Sequence, residues 1–403
     1  MTRYKTFQTA DALAYALEHT DRFAGLDSTA LTSEEFGDGN LNLVFRISHP
    51  DGASLILKQA LPYARCVGES WPLSVDRARI EAEAMLIESQ LCPALVPEIY
   101  HYDAELAVTI MEDLSDHQIL RQAMVEGKRF PTLMHDMAVF LADTLFFTSD
   151  LYLDPAEKKQ RVAQFINPDL CKITEDLFFL DPYCDHERNN YYPGFNERAS
   201  KLWSHTALKA EIADLKYRFL TKTQSLLHGD VHAGSIFVRE GSTKVIDAEF
   251  AYYGPAGFDI GSYIGNLLLN FCAQWGLMDD EDARNNYRRW ILEGIDSFWN
   301  TFADRFTGYL AENTNDPSLN NLHWQSRLMQ RIWHDTLGYA GAEMIRRTVG
   351  LAHVKDLDVI SDHTRQLQAA GQALVLGEAL VMQRRQLDNM GDVLTMLSGL
   401  VEY

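Results

Sequence analysis

The stretch "HGDVHAGSIFV" places His228, Asp230 and His232 within five positions, between apolar segments. Residues of these types can ligate a transition metal, form a catalytic loop, or make a polar turn that joins two strands. A metal-dependent hydrolase needs further ligands at matching spacing, and the later histidines form no such pair. The sequence therefore disfavours a metal-ligand cluster. As a catalytic loop, the stretch would present Asp230 as a base, with His228 and His232 positioning the loop through hydrogen bonds.

A second acidic pair follows in "VIDAEF", where Asp247 and Glu249 stand two residues apart at the end of an apolar run. Side chains at positions i and i+2 of a strand face the same side. We therefore expect both carboxylates on one face of a strand, close enough to share metal ions. Carboxylate oxygens are the ligands that Mg²⁺ prefers, so the pair is predicted to be a magnesium site.

The order of such features along the chain is more informative than any one of them. A glycine-containing turn is usually a hairpin, a lone strand lysine is usually solvated, and a helical glutamate is usually a surface charge. Phosphoryl transfer from ATP requires a backbone cover over the phosphates, a lysine, a carboxylate that holds the lysine, a base and metal-binding carboxylates. The chain supplies candidates in that order: Asp38-Gly39-Asn40, Lys58, Glu81, Asp230 and Asp247.

The elements that must position these residues divide into two parts. The alternation of Leu43, Phe45 and Ile47 predicts a strand, with "ASLILKQA" as its antiparallel partner and the glycine turn on the leading side of this hairpin. Helical periods dominate later and are interrupted only by short strands and turns within 226–256. The predicted fold class is α+β, with a small β-rich ATP-binding lobe (1–115), a hinge near 111–116, and a large mainly helical lobe (116–403) that carries the catalytic loop and the substrate site.

Composition excludes several classes of function. The 403 residues include 57 acidic and 36 basic side chains, a formal net charge of −21. A surface of this sign repels phosphate backbones and anionic lipids, which argues against nucleic acid or a membrane as a partner. The five cysteines are scattered without a Cys-x-x-Cys pair, which argues against a disulfide framework or a structural zinc site. The chain begins without an apolar leader and has no apolar run near the ~18 residues of a membrane span, so we expect a cytoplasmic protein.

The stretches "HGDVHAGSIFV" and "TKVIDAEFAYYGPAGFDIG" resemble the methylthioribose kinase family, in the aminoglycoside- and choline-kinase-like group of the two-lobed protein-kinase-like fold. The stretches "GDGNLNLVFRI", "IMEDLSDHQILR" and "EMIRRTVGLAHV" resemble it as well, so the similarity spans about residues 30–375. Ser235 departs from the wider protein-kinase pattern, which has a metal-binding Asn five residues after the catalytic aspartate. Because serine is a poorer Mg²⁺ ligand, we expect Glu249 to act as the second metal carboxylate, as the methylthioribose kinases also suggest.

The resemblance implies transfer of the γ-phosphoryl group of ATP, with Mg²⁺, to the anomeric 1-hydroxyl of the small molecule 5-methylthioribose in methionine salvage. It also favours a homodimer. The residues that it implies at the substrate are the catalytic Asp230 together with Arg346 and Arg347. Those that it implies at ATP are Asn40, Lys58 and Glu81, the hinge residues Met111, Glu112 and Asp113, and the segment Asp247, Ala248 and Glu249, in which Asp247 and Glu249 bind the metal.

Several alternatives stay open on the residues alone. Another hydroxyl acceptor (an aminoglycoside, choline, homoserine or a sugar) would use the same chemistry, although the cations of "EMIRRTVG" suit a neutral polyol. A non-catalytic kinase-like binding module usually lacks the lysine or an aspartate, which this chain retains. We expect one of Arg346 and Arg347 to reach the phosphate or the sugar and the other to pair with an acid; the alternative is two surface arginines on a helix. Trp71 either covers an apolar slot for the methylthio group or anchors the core.

Overall fold

The computed structural model describes residues 4–36, 41–65, 68, 70–314 and 316–400 of the chain. Its first part contains two helices, α1 (Thr9–His19) and α2 (Arg77–Leu91), and five strands: β1 (Thr32–Phe36), β2 (Asn42–Ser48), β3 (Ser54–Ala60), β4 (Ile99–Asp103) and β5 (Val108–Glu112). These strands form one antiparallel sheet in the order β1-β2-β3-β5-β4.

Strands β2 and β3 form the predicted antiparallel hairpin. Leu43, Phe45 and Ile47 on β2 are buried and pack with Leu57 of β3 and with α1 in the core of this part. Because successive side chains of a strand face opposite sides, Lys58 points away from this core and lines the cleft on the other side of the sheet.

The second part is mainly helical. Its helices are α3 (Leu120–Val125), α4 (Leu133–Phe147), α5 (Pro155–Gln164), α6 (Pro168–Leu177), α7 (Asn196–Ser204), α8 (Thr206–Thr221), α9 (Gly257–Leu277), α10 (Glu281–Asn313), α11 (Leu322–Val349), α12 (Lys355–Asp358), α13 (His363–Gln383) and α14 (Met390–Leu400). Two small sheets are inserted, one of β6 (Gln118–Ile119), β8 (Ile236–Arg239) and β9 (Ser242–Val245), the other of β7 (Ser225–Leu227) and β10 (Tyr252–Gly254).

Helix α9 is the central helix of the second part. Every residue from Gly257 to Gln274 is buried, as expected for a helix packed on all sides. Helix α11 lies directly against it, and a Cβ atom at Gly261 would lie 2.6 Å from the carbonyl oxygen of Thr336. Glycine therefore allows the two backbones to approach. This contact helps to place the end of α11, which carries the arginine pair.

Two expectations from composition can be compared with the structure. Among the residues described, no helix is both long enough and apolar enough to span a membrane. The four cysteines within the described ranges are free thiols, namely Cys92, Cys171, Cys184 and Cys272.

Candidate active site

The loop predicted to be catalytic, 228–235, follows β7 and is clamped by α9. The backbone N–H groups of His228 and Gly229 donate to the two side-chain oxygens of Asp259 at 2.8 and 3.0 Å. Asp259 is buried in the first turn of α9. Gly229 has φ +84°, and a Cβ atom there would lie 2.3 Å from the carbonyl oxygen of Phe250. The loop conformation therefore requires glycine at this position and an acceptor beneath it.

Asp230 faces the cleft with a partly exposed side chain. Its Oδ2 atom lies 3.2 Å from Nε2 of His232. Nδ1 of His232 accepts a hydrogen bond from the N–H of Gly234 at 2.9 Å, so a neutral His232 is protonated on Nε2, and this N–H donates a hydrogen bond to Oδ2 of Asp230. Burial raises the pKa of Asp230, but His232 and the arginine pair lower it by more, and the pKa is held below its usual value. Asp230 is therefore an ionised acceptor in the cleft.

Lys58 connects the sheet to two carboxylates of the cleft. Its Nζ atom lies 2.7 Å from Oε1 of Glu81 on α2 and also contacts Oδ1 of Asp247. Burial lowers the pKa of this amine, but the attraction of Asp247, Glu81 and Glu249 outweighs burial, and the pKa is raised above its usual value. The lysine is therefore a fixed cation beside an acidic cluster.

The acidic cluster consists of Glu81, Asp247 and Glu249, and one carboxylate oxygen from each lies within 4.8 Å of the other two. Such hard donors fit a divalent cation. The predicted reason for the approach of Asp247 to Glu249, a shared strand face, was wrong. Strand β9 ends at Val245, Asp247 adopts a left-handed conformation (φ 75°, ψ 46°), and a short 3-10 helix, Ala248–Phe250, follows. The two carboxylates therefore converge across a turn.

Two residues that the sequence analysis did not assign to the site hold Glu249 from the first part of the chain. Arg77 Nε lies 3.3 Å from Glu249 Oε2, and Asn42 Nδ2 donates to the same oxygen at 3.0 Å. Burial and the nearby Asp247 raise the pKa of Glu249, while Lys58 and Arg77 oppose this shift only in part. The acid at the proposed metal position is thus supported by a cation and an amide from the sheet side of the cleft.

Arg346 and Arg347 lie in the last turn of α11, and both contact the buried carboxylate of Glu343. Arg347 Nε lies 2.9 Å from Oε1, and Arg346 Nε donates to Oε2. The arginine side chains are only 14% and 10% exposed, so the alternative of two surface arginines is wrong. Both pair with this one acid, whereas only one of them was expected to. Nη2 of Arg346 also lies 3.9 Å from Oδ1 of Asp230.

These groups line one cleft of about 600 Å³ between the sheet and the helices. The predicted site residues that line it are Lys58, Glu81, Met111, Asp230, Asp247, Glu249, Arg346 and Arg347. Trp71 also lines the cleft, and it packs in a small apolar cluster with Leu73 and Leu170. It therefore combines an exposure to the cleft with a packing role in the core.

Other predicted site residues lie elsewhere. Within the described part of the chain, Glu112, Asp113 and Ala248 do not line the cleft. The carboxylate of Asp113 pairs with Arg46 at 2.7 Å, and the N–H of Glu112 donates to the carbonyl of Glu98 at 2.8 Å. Asn40 lies outside the described residues.

A small sheet and a larger helical part that enclose a lysine, an ionised aspartate and a carboxylate cluster define a phosphotransferase of the kinase-like class. The family model described as "Phosphotransferase enzyme family" matches residues 32–296. Methylthioribose kinases of Yersinia pseudotuberculosis and Yersinia enterocolitica are 50% and 49% identical to this chain; each alignment covers 98% of the chain, with 96% and 98% of the respective relative. The chain belongs to the methylthioribose kinase family.

Kinases of this kind take ATP as the phosphoryl donor and typically use a divalent metal. Among solved structures, glucosamine kinase in complex with glucosamine, ADP and inorganic phosphate aligns with a TM-score of 0.49 and 14% identity, over 92% of this chain and 84% of that one. This similarity is too distant for residue roles to be transferred.

Proposed function

We propose that the protein transfers the γ-phosphoryl group of ATP to the anomeric 1-hydroxyl of 5-methylthioribose, with Mg²⁺, and so forms 5-methylthioribose 1-phosphate in methionine salvage. The observation that carries the proposal is that ionised Asp230 shares one cleft with Lys58 and the acidic cluster. The name of the relatives at about 50% identity supports the choice of acceptor.

On the ATP side, Lys58 would bind the α- and β-phosphates while Glu81 holds its amine. Asp247 and Glu249 would hold Mg²⁺, which when bound neutralises charge on the transferred phosphate. Met111 lines the cleft where the adenine would lie. The remaining proposed ATP contacts are the hinge residues Glu112 and Asp113, Ala248 in the metal turn, and Asn40.

On the acceptor side, Asp230 would accept the hydrogen bond of the 1-hydroxyl and take its proton as the bond to phosphorus forms. Arg346 and Arg347 would stabilise the transferred phosphoryl group or bind the ribose hydroxyls. The apolar part of the cleft, which includes Trp71, would receive the methylthio group, because a buried thioether is favoured over a solvated one.

The direct test is ADP formation from ATP and Mg²⁺ with 5-methylthioribose, compared with ribose, choline and an aminoglycoside. We expect turnover on 5-methylthioribose and at least ~10²-fold loss of kcat in Asp230→Asn, with ATP binding retained. Turnover on another acceptor alone would keep the reaction and refute the substrate. Full activity of Asp230→Asn would refute the role of this residue.

We also propose that the protein is a cytoplasmic homodimer. Within each chain, the first lobe would end at residue 115. The division is supported by β6, which begins three residues beyond it and pairs with β8 of the helical lobe. Light scattering after size-exclusion chromatography should give about twice the chain mass of 45.8 kDa. A mass near that of one chain would refute the dimer, and recovery of the protein outside the cytoplasmic fraction would refute the location.

A further inference from the structure

The guanidinium group of Arg346 lies near three side chains, of which Phe178 and Asp230 line the cleft. Its Cζ atom lies 5.1 Å from the centroid of the Phe178 ring. Its Nε donates to Glu343, and its Nη2 lies 3.9 Å from Oδ1 of Asp230. An arginine–carboxylate pair in direct hydrogen bond has an N···O distance of about 2.7–2.9 Å. Arg346 therefore stops about 1 Å short of Asp230.

This separation has to be maintained, because opposite charges in a cleft with reduced access to water attract each other. Glu343 retains the Nε atom of Arg346 and is itself fixed by Asn266, whose Nδ2 donates to Oε1 at 3.0 Å. Phe178 contributes differently. Its ring attracts the guanidinium through the negative face of the π-system and occupies the space beside it.

Phe178 is held in place by helix α6. It follows Leu177, the last residue of α6, and its ring packs against Phe258 of α9 with centroids 5.2 Å apart. At the other end of α6, the carboxylate of Asp169 accepts the N–H of Ser74 at 2.8 Å, from the segment before α2. The ring beneath Arg346 is therefore fixed by an element that contacts both parts of the fold.

We propose that Phe178 is a positioning residue of the acceptor site, which holds the Arg346 guanidinium off Asp230 so that Oδ1 and Nη2 stay open together. The acceptor hydroxyl and the transferred phosphoryl group then approach these two atoms from the cleft, the hydroxyl towards Oδ1 and the phosphoryl group towards Nη2. This inference rests on the proposed function. Without the ring, Arg346 closes onto Asp230 and blocks the carboxylate that must meet the hydroxyl.

The chain offers a matched control in the next residue. Phe179 is buried too, and its ring packs against Phe219 and Tyr339 inside the helical core and against the Phe178 ring, with centroids 4.7 Å apart. Replacing either ring by leucine removes similar buried area, but only Phe178→Leu removes a ring that contacts the guanidinium. Leucine also keeps an apolar surface. If Phe178 only lined the cleft, Phe178→Leu would therefore have little effect on the kinetics.

The experiment is steady-state kinetics of the full-length chain, with the acceptor and ATP varied in turn. Phe178→Leu is expected to lower kcat/KM for 5-methylthioribose by about 10-fold, with KM for ATP within about 2-fold of wild type. Phe178→Tyr, which keeps the ring, should recover most of the loss. Phe179→Leu should lower the thermal midpoint and leave kcat/KM within about 3-fold. Equal kinetic losses in the two leucine variants overturn the proposal.

A second measurement does not depend on the acceptor. Thermal unfolding of wild type, Phe178→Leu, Arg346→Ala and the double variant tests whether ring and guanidinium interact. Non-additive midpoint changes are expected, and strictly additive ones overturn the contact. If wild type turns over another acceptor and not 5-methylthioribose, the proposed substrate is wrong. The role of Phe178 is then still tested by the same kinetic comparison with that acceptor and by the unfolding measurements.

Discussion

The Nε atom of Arg77 lies 3.3 Å from Oε2 of Glu249, and both side chains are almost completely buried. Arg77 is the first residue of α2, and its Nη atoms donate to the carbonyls of Leu61 at 2.7 Å and Leu41 at 2.9 Å. One guanidinium thus joins α2, the ends of the β2–β3 hairpin and the proposed metal carboxylate. The acidic side of the cleft depends on this contact.

Replacement of Arg77 by alanine should destabilise the protein strongly. It leaves the carboxylate of Glu249 buried without its guanidinium partner and four carbonyl or amide acceptors without their donors. Breaking a buried ion pair from one side costs about 3–5 kcal/mol, and urea unfolding can measure this loss. Arg79, two residues on, is far less buried and pairs with Asp76 and Glu83 within the same helical stretch, so Arg79→Ala should cost only about 1 kcal/mol. Similar losses in the two variants would contradict the assignment.

The contact between His232 and Asp230 predicts a difference between two amide substitutions. Nε2 of His232 lies 3.2 Å from Asp230, while Nδ1 accepts the N–H of Gly234. Asparagine places its amide near the Nδ1 position, whereas glutamine can reach the Nε2 position and donate to Asp230. We expect His232→Asn to lower kcat by up to ~10²-fold through misplacement of the base, and His232→Gln to retain clearly more activity.

The measurement is kcat at saturating ATP and acceptor, with KM for ATP as the internal control. If Asn and Gln variants lose the same activity, His232 serves only to shape the loop through Gly234. A large rise of KM for ATP in either variant would instead indicate general damage to the cleft.

The chemistry of the site could be predicted largely from local sequence. Strand alternation places Lys58 on the face opposite to Phe45 and Leu57, and this follows from the period of two alone. The buried face of α2 could also be predicted, because Ile80 and Glu81 follow Arg77 by three and four residues and so lie on the same side of the helix. That spacing was the available signal for a buried arginine, and the sequence analysis did not use it.

Other features depend on packing between distant segments. Asp259 meets the N–H groups of His228 and Gly229 from 30 residues further on, where α9 begins. The left-handed turn at Asp247 is not specified by residue type alone, because aspartate is enriched in this conformation yet adopts it at only a small minority of positions. The periodicity of the sequence predicts on which face of a helix or strand a side chain lies. Its partners from distant segments are determined by the tertiary structure.

Asp259 predicts a specific pH dependence of stability. Burial raises its pKa to about 7, against the opposing effect of the two backbone N–H groups that it accepts. The native protein therefore keeps a proton that the unfolded chain releases near pH 4. This contribution to stability is complete below that pH and is lost as the pH rises towards about 7, with a slope of at most ~1.4 kcal/mol per pH unit.

Asp259→Asn is nearly isosteric and does not titrate, so it isolates this contribution. Urea unfolding of both proteins between about pH 5 and pH 8 should show the advantage of wild type over the variant shrinking with rising pH, then levelling off. A difference that stays constant or grows with pH would mean that Asp259 is ionised throughout, and that its two hydrogen bonds outweigh its burial.

Gly229 allows a test of why the catalytic loop requires glycine: for its left-handed backbone conformation, or because there is no space for a Cβ atom. Both Gly229 and Gly241 have positive φ, +84° and +71°. Within the described residues, nothing lies within 4 Å of a Cβ atom at Gly241, whereas one at Gly229 meets the backbone of Phe250 at 2.3 Å. Gly241→Ala should therefore cost only the left-handed conformation, about 1 kcal/mol.

Gly229→Ala should cost distinctly more, because a backbone atom cannot rotate away from the added methyl group as a flexible side chain could. We expect a further loss of at least ~2 kcal/mol in urea unfolding, accompanied by a fall in kcat, since Asp230 is the next residue and moves with the loop. Equal destabilisation in the two alanine variants would mean that the left-handed conformation alone sets the cost. A Gly229→Ala protein with normal kcat would show that the loop can shift away from Phe250 without moving the base.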